Sequence, residues 1–300
     1  MRKLSLLLVT LWAFFLVGCP LPWNAPYIIC SGSISFDLQD TLKVFELWAE
    51  EHTGYESYRV KVSKPWIHVT PEVSSITGGN SSIHEVRVDR DMPAGLYYGE
   101  INFEVIQGSV PIHDFVKVAL LTGTEIRAYE IQKDMTLDSI FWCSDSNLAS
   151  GQDFWGVSSP ESEYASLWCC KRGEHHREQY DNDMDAWMIL KPEQAIDVQN
   201  FQQVQIGFRL SGSSIYNQDY LELLLITPDG NAQRPKYLPI TWSGDWLYEE
   251  LESVPLTWFG DDSLTSPLRF AFFFHSDSAE VSSGFWIDHL KVFGDPKIAD

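Results

Sequence analysis

Apolar and polar residues alternate in short segments through the first part of the chain, as they do in strands that bury one face. The clearest alternating segments are residues 33–37, 58–62, 84–88 and 100–105. Turns that contain proline or glycine separate these segments, and no helical period interrupts the pattern. Short strands at this spacing predict an immunoglobulin-like sandwich over residues 32–123.

Longer alternating segments follow a seam at residues 122–125. They are residues 204–210, 220–227, 268–274 and 285–293. Strands of this length, in a region longer than an immunoglobulin domain requires, favour the two packed antiparallel sheets of a jelly roll. The predicted fold class is all-β, with an immunoglobulin-like sandwich followed by a larger jelly-roll β-sandwich of the concanavalin type over residues 124–295.

The N-terminus has the layout of a secretory signal peptide. A basic start at residues 1–3 precedes an apolar run at residues 4–15, which is shorter than the about 20 residues that cross a bilayer. The closing Leu-x-Gly-Cys at residues 16–19 resembles the bacterial lipobox, in which cleavage leaves a lipid-bearing cysteine at the new N-terminus. An ordinary secretory signal with an incidental cysteine is the alternative.

The lipobox resemblance implies a lipoprotein signal peptide over residues 1–18 and a lipidated Cys19. Residues 19–31, which include three prolines, then form a tether. The predicted localisation is the bacterial cell envelope, lipid-anchored and extracytoplasmic, at the outer membrane or cell surface. The membrane, reached through the N-terminal lipid, is therefore one predicted partner.

The formal net charge is −21, from 42 acidic and 21 basic residues. This charge argues against nucleic acid as a partner, because phosphate binding needs a basic face. The acid excess is compatible with Ca²⁺, which prefers oxygen ligands, and also with a surface that is merely kept soluble.

Four of the five cysteines lie after Cys19. Export permits disulfides, and Cys143 is expected to pair with Cys169 or Cys170, with Cys143–Cys169 as the predicted bridge. The sequence alone does not fix this pairing. A zinc site is not expected, because the adjacent cysteines lack C-x-x-C spacing.

Residues 64–71, with the sequence KPWIHVTP, resemble the core motif of bacterial BACON-type modules. Residues 86–101 resemble the closing hairpin of these modules, whereas the loop after Pro71 delays its glycines to residues 78 and 79. The resemblance implies an accessory module of exported, often carbohydrate-active, proteins that carries no catalytic residues.

Three ordered motifs in the second region resemble the MAM-like jelly roll attached to immune inhibitor A-type peptidases and to many bacterial surface proteins. They are residues 153–159 (DFWGVSS), 164–169 (YASLWC) and 182–189 (NDMDAWMI), and residues 270–288 resemble the end of the same module. The charged, histidine-containing segment at residues 171–179 departs from the pattern. The resemblance implies a jelly roll of the kind that accompanies peptidases.

Asp183 and Asp185 lie two residues apart on a predicted strand, so their side chains share one face. With Asp288 brought close from the last strand, they are predicted to hold a structural Ca²⁺, the one cofactor expected. An EF-hand loop is excluded, because Ala186 occupies its glycine position and Pro192 its glutamate position. Carboxylates that are merely solvated or hydrogen-bonded in a turn are the alternative.

Aromatic residues near polar, turn-rich segments are candidates for ligand binding, because sugars stack on Trp and Tyr rings. These residues are Tyr216, Trp242, Trp246 and Trp258. Ordinary packing is the alternative for each of them. The tryptophans inside the family motifs are expected in the core instead: Trp155, Trp168 and Trp187.

The sequence contains no H-E-x-x-H, G-x-S-x-G or P-loop motif. The protein is therefore predicted not to be an enzyme, but a binding or adhesion lipoprotein for a glycan or an envelope protein. A structural or assembly component of the cell envelope is the alternative, and a hydrolase accessory or cryptic hydrolase is a third hypothesis. The sequence defines neither the ligand nor the oligomeric state.

Overall fold

A computed structural model gives the fold of most of the chain. It describes residues 27–30, 32–112, 114–132, 135–145, 155–158, 165–170, 179–216, 218–235, 241–243, 245–259 and 266–298, with the backbone alone at residues 241 and 245–250. Cys19 and the predicted signal peptide lie outside these ranges. Within the ranges, none of the helices has the length and apolar character that a bilayer crossing requires.

The regular secondary structure of the described residues consists almost entirely of strands, which confirms the predicted all-β class. The strands are β1 Ile28–Cys30, β2 Ser33–Phe36, β3 Lys43–Ala49, β4 Glu56–Val62, β5 Ile67–Thr70, β6 Val73–Ile76, β7 Ser81–Val88, β8 Gly95–Gln107, β9 Val116–Thr122, β10 Thr124–Ala128, β11 Phe141–Asp145, β12 Gly156–Ser158, β13 Ser166–Trp168, β14 Asp185–Leu190, β15 Phe201–Ser213, β16 Tyr220–Ile226, β17 Ala232–Gln233, β18 Thr241–Trp242, β19 Asp245–Pro255, β20 Phe270–His275 and β21 Gly284–Pro296. Short 3-10 helices span Leu137–Ser139, Pro192–Gln194 and Leu256–Phe259.

The chain divides into two compact units. The first comprises the described residues within Met1–Ile34, Thr41–Val88 and Gly99–Val118, and the second comprises those within Ser35–Asp40, Asp89–Tyr98 and Ala119–Asp300. The predicted domain boundary between residues 123 and 124 stays a prediction.

The sandwich in the first part of the chain contains a four-stranded sheet, β1-β3-β7-β5, and a five-stranded sheet, β2-β9-β8-β4-β6. Its strands alternate as predicted: on β3, Phe45, Leu47 and Ala49 are buried, while the residues between them are exposed. The two inner faces meet in a shared core, because the ring of Phe45 lies 5.8 Å from the ring of Phe103 on β8.

His84 on β7 is fully buried in this first core and makes hydrogen bonds through both ring nitrogens. Its Nδ1 lies 3.0 Å from the Pro71 carbonyl oxygen, and its Nε2 lies 2.7 Å from the Tyr58 hydroxyl. Because a carbonyl can only accept, Nδ1 donates to Pro71, and Nε2 of the neutral ring accepts from Tyr58. Burial lowers the pKa of His84.

Acidification is expected to destabilise the first unit through His84. Folding lowers the pKa of this side chain, so its contribution to stability is complete above the ordinary value of 6.5 and is lost as the pH falls below 6.5 toward the lowered value. Hydrogen exchange at the β7 amides, measured as a function of pH, reports this loss. The side chain at position 84 does not titrate in the His84→Gln variant, so the fall in stability between pH 6.5 and the lowered pKa should be absent there. If the variant loses as much stability on acidification as the native protein, carboxylates and not His84 cause the loss.

The second unit contains two antiparallel sheets of six strands each. One has the order β12-β13-β21-β15-β19, with β10 also paired to β21, and the other has the order β11-β14-β20-β16-β17, with β18 paired to β16. The ring of Phe208 on β15 lies 5.1 Å from the ring of Phe272 on β20, so the inner faces of the sheets share one core. This part of the chain is the larger of the two predicted sandwiches.

The last strand, β21, lies inside its sheet rather than at an edge. It pairs with β15 along one side, and with β10 and β13 along the other. Gly212 on β15 pairs with Phe285 on β21 and has a φ of +132°, a conformation that favours glycine. The two strands therefore approach each other closely at this point.

Candidate functional site

One face of the β11-β14-β20-β16 sheet carries a group of aromatic side chains that point away from the core. The alternation on β14 explains this arrangement: Ala186, Met188 and Leu190 are buried, while the residues between them are partly exposed. We call this surface the aromatic face, and it consists of Trp142, Trp187, Tyr220, Phe273 and His275.

The first row across the aromatic face joins three strands through polar side chains. His275 on β20 pairs in register with Asp185 on β14 and with Tyr220 on β16. Its Nδ1 lies 2.7 Å from Asp185 Oδ1, and its ring centroid lies 5.0 Å from that of Tyr220. The carboxylate can only accept, so Nδ1 donates and Nε2 of the neutral ring is an acceptor. About a third of both the His275 and the Asp185 side chain is exposed.

The second row lies two residues further along the same strands. Trp187 on β14 and Phe273 on β20 are paired in register, and their ring centroids are 4.4 Å apart. Glu222 on β16 pairs with Phe273 from the other side, and its Oε2 lies 3.1 Å from Arg234 Nη2. This row therefore places a tilted pair of aromatic rings, of which Phe273 is buried, beside an ion pair.

Trp142 on β11 adds an exposed ring at the edge of the face. Half of its surface is accessible, and the Arg269 guanidinium lies 5.7 Å from its ring centroid. Arg269 Nε donates to the Leu190 carbonyl oxygen at 2.9 Å, which fixes the guanidinium against the strand end. Trp142 thus stands beside a cation that is itself held in place.

A buried carboxylate holds the chain just before Tyr220. Asp219 is fully buried and accepts hydrogen bonds from the Tyr180 hydroxyl and from the Asp277 amide, the latter at 2.7 Å. Burial, and then the hydrogen bond to Asp219, raise the pKa of Tyr180, so its hydroxyl stays a donor. Asp219 therefore ties the start of β16 to the segment that follows β20.

Ser276 makes the equivalent link for the other two strands of the first row. Its Oγ accepts from the Met184 amide at 2.9 Å and donates to the Asp181 carbonyl oxygen at 2.7 Å. Ser276 directly follows His275, and Met184 directly precedes Asp185. Buried hydrogen bonds therefore fix both members of the Asp185–His275 pair from behind.

Only one of the predicted ligand-binding aromatics with a described side chain, Tyr216, is mostly exposed. Trp242 is buried, with its ring 5.4 Å from that of Phe208, so it is a core residue and not a ligand contact. Trp258 is half-buried and packs against the same core. Tyr216 is 70% exposed. Trp246 lies on β19, and its side chain is outside the described residues.

The tryptophans expected in the core follow the prediction with one exception. Trp155 and Trp168 are both 2% exposed. Trp187 lies on the outward side of β14, so its assignment to the core was wrong. Tyr220 and His275 were not predicted as site residues, although Tyr220 begins one of the alternating segments and His275 directly follows another.

The three aspartates of the predicted calcium site do not converge. Asp185 begins β14 in one sheet and Asp183 lies in the turn before it, whereas Asp288 lies on β21 in the opposite sheet. Within the described ranges, no group of three metal-ligating side chains forms. Asp288 bonds to the adjacent His289 instead, at 2.7 Å. This grouping is therefore corrected, and a calcium requirement stays a prediction.

The predicted Cys143–Cys169 bridge is not formed, and both cysteines are free. Cys143 lies on β11 in one sheet, while Cys169 directly follows β13 in the other. The sulfur of Cys169 lies 3.2 Å from that of Cys170 and accepts a hydrogen bond from the Phe285 amide at 3.2 Å.

No family model and no curated protein matches the chain. Similar solved structures include a family 30 carbohydrate-binding module of the Clostridium thermocellum cellulosomal cellulase Cel9D-Cel44B, with 11% identity, a TM-score of 0.34, and coverage of 57% of this chain and 99% of that one. They also include a carbohydrate-binding module from the β-sandwich superfamily, with 12% identity, a TM-score of 0.32, and coverage of 91% of this chain and 100% of that one. The CupB2 chaperone of Pseudomonas aeruginosa has 9% identity, a TM-score of 0.30, and coverage of 83% of this chain and 100% of that one.

TM-scores this low carry no argument about function, and the similar structures are accordingly no basis for assigning a ligand. The resemblances to BACON-type and MAM-like modules stay predictions from the sequence motifs. Any assignment of function therefore rests on the site itself.

Proposed function

We propose that the protein is a non-catalytic binding lipoprotein of the bacterial cell envelope, and that its aromatic face binds a glycan. The observation that carries this proposal is the placement of neighbouring aromatic rings and hydrogen-bonding side chains in register on one face of a single sheet. The lipobox resemblance at Cys19 supports the anchoring part of the proposal, and the aromatic face supports the binding part.

A glycan fits the chemistry of this face better than a purely apolar ligand does. The C–H face of a sugar ring stacks on an aromatic ring, while its hydroxyls need donors and acceptors nearby. Trp187 offers the ring, and the Asp185–His275 pair offers the hydrogen bonds one row away. A row lies about 6.6 Å from the next along a strand, so one sugar unit can contact both rows.

The proposed role is binding, for which the face presents polar groups that can orient the hydroxyls of a sugar. His275 Nδ1 is already committed to Asp185, which leaves Nε2 to accept a hydrogen bond. Glu222 is engaged by Arg234. Each polar group is therefore supported by a neighbour and ready to bind.

Replacing Trp187 with alanine is expected to weaken glycan binding at least tenfold, which corresponds to about 1.4 kcal/mol. The reason is the loss of the central stacking surface beside Phe273. A glycan array identifies the ligand of the native protein, and calorimetry with that ligand measures the affinity of each variant. His275→Ala should also reduce affinity, because it removes the acceptor that faces sugar hydroxyls.

Trp48→Ala is the matched control, because Trp48 is a partly exposed strand tryptophan of the first unit, 38% accessible. It should leave glycan binding unchanged. Equal losses from Trp48→Ala and Trp187→Ala would contradict the proposal. A blank array combined with specific recovery of envelope proteins would favour the structural alternative instead.

A further inference from the structure

A cavity lies beside β10 and β21, in the sheet of the second unit that does not carry the aromatic face. Its volume is about 610 Å³, within the range of small-molecule sites. We call it the β21 cleft, and its lining includes Glu125, Tyr129, Glu130, Asp288, His289 and Lys291. The described residues of the aromatic face contribute nothing to this lining, so the two sites are separate.

A bulge in β21 shapes the wall of the cleft. Three residue steps on β21, from Asp288 to Lys291, oppose only two steps on β15, from Gly207 to Arg209. His289 sits in this bulge with a φ of +51°, which is uncommon for a residue other than glycine. The extra residue allows the neighbouring Asp288 and His289 both to line the cleft.

The adjacent pair leaves acceptors available to a ligand. His289 Nδ1 lies 2.7 Å from Asp288 Oδ1, and since the carboxylate accepts, Nδ1 donates. Nε2 of the neutral ring is then an acceptor, as is the second oxygen of Asp288. The Asp288 side chain is 13% exposed, so charge placed beside it is only partly screened by water.

The charges around the cleft are unbalanced toward the negative. Glu125, Glu130 and Asp288 line it, whereas the lining ammonium of Lys291 is already held 2.5 Å from Asp37 Oδ2 and 3.9 Å from Glu125 Oε2. Arg209, the cross-strand neighbour of Asp288, is a second nearby cation. Counting Asp37, and Arg127 beside the lining Tyr129, four carboxylates face three cations, which leaves an excess of one negative charge.

Tyr129 forms an aromatic wall that already attracts a cation. The Arg127 guanidinium lies 5.7 Å from its ring centroid. The Tyr129 side chain is buried, and its hydroxyl makes no hydrogen bond of ordinary geometry to the described residues. Burial raises the pKa of Tyr129 to about 12, so the hydroxyl remains neutral beside these carboxylates.

We infer that the β21 cleft binds a small organic cation that carries several N–H donors, such as an ammonium or guanidinium compound. The carboxylates supply the countercharge, Asp288 and His289 accept hydrogen bonds, and Tyr129 offers a ring. A neutral molecule of the same shape satisfies the acceptors without offsetting the charge, and an anion meets repulsion.

The test compares arginine amide with citrulline amide, which has nearly the same shape and a neutral ureido group. Calorimetry on the full chain should show arginine amide binding at least tenfold more tightly, with an affinity that falls as salt is added. Glu130→Gln and Asp288→Asn should each weaken arginine amide binding about fivefold or more. Glu72→Gln, at an exposed carboxylate of the first unit, should change nothing.

Two further measurements keep the result unambiguous. Thermal unfolding of Glu130→Gln, a change at an exposed side chain, confirms that the fold is intact even if Asp288→Asn is destabilised. Trp187→Ala should bind arginine amide normally, which separates failure of this site from failure of the glycan proposal. Equal binding of the two amides, or no binding of arginine amide, putrescine or glucosamine at millimolar concentration, overturns the inference.

Discussion

Replacing Gly212 with alanine is expected to destabilise the second unit by about 3 kcal/mol or more. The φ of +132° disfavours any side chain, and an added Cβ would lie 2.0 Å from the Gly284 carbonyl oxygen and 2.9 Å from the Phe285 Cα. Both neighbours are backbone atoms of β21, a strand paired on both sides, so neither can yield without breaking the sheet. Equilibrium denaturation with urea measures the loss in the free energy of unfolding.

Gly230→Ala is the control for this prediction. Gly230 also has a positive φ, +87°, but an added Cβ would meet nothing within 4 Å. Its substitution therefore carries the conformational cost alone, about 1 kcal/mol. If both substitutions lower the free energy of unfolding equally, the close approach of β15 and β21 adds nothing to the cost at Gly212.

Replacing Asp219 with alanine is expected to destabilise the second unit by about 2–4 kcal/mol. The change leaves two buried donors without their acceptor: the Tyr180 hydroxyl and the Asp277 amide. Tyr180→Phe removes one of these donors and should cost less. The double variant should lose less stability than the two single variants together, because Asp219 and Tyr180 share one hydrogen bond, which each single change already removes.

Denaturation of the two single variants and the double variant measures this coupling. Additive losses would mean that Asp219 and Tyr180 contribute independently. The affinity of Asp219→Ala for a glycan is a second readout, since Asp219 precedes Tyr220 of the aromatic face. Unchanged affinity in a folded variant would show that Asp219 stabilises the unit without positioning the face.

The alternation of residues predicted the strands well but not which side of a strand faces the core. On β14, the alternation places Asp185 and Trp187 on one face and Ala186 and Met188 on the other. Either face could be the one that packs against the core of a sandwich. Trp187 lies inside a motif that resembles the MAM-like modules, and that position alone predicted a place in the core. The structure fills the core from the other side of β14, where Met188 and Leu190 pack.

Turn-rich surroundings were a poor guide to exposure. Trp242 lies in such a segment, yet β18 pairs with β16 and directs the indole inward against Phe208. The prediction that aspartates converge on one calcium ion was wrong for a related reason. Asp185 and Asp288 both lie on strands, but the sequence does not say which sheet each strand joins.

The β21 cleft had no sequence signal at all. A left-handed His289 depends on how three strands meet β21, and no local motif at residues 288 and 289 announces a bulge. Asp288 was singled out as a metal ligand, whereas its hydrogen bond to the next residue emerges only from the folded backbone. Sites created by strand pairing over long sequence separations are therefore the ones that pattern analysis misses.

The position of β21 has a consequence for how the protein is made. Chains emerge from the ribosome N-terminus first, and the strand with which β10, β13 and β15 all pair is synthesised after each of them. Until residues 284–296 are present, these three strands lack their common partner, and their apolar side chains cannot be fully buried. We therefore expect the second unit to complete its fold only once residues 284–296 are available, and to do so slowly, since its contacts are distant in sequence. Before that point, the exposed apolar surface of the incomplete unit favours aggregation.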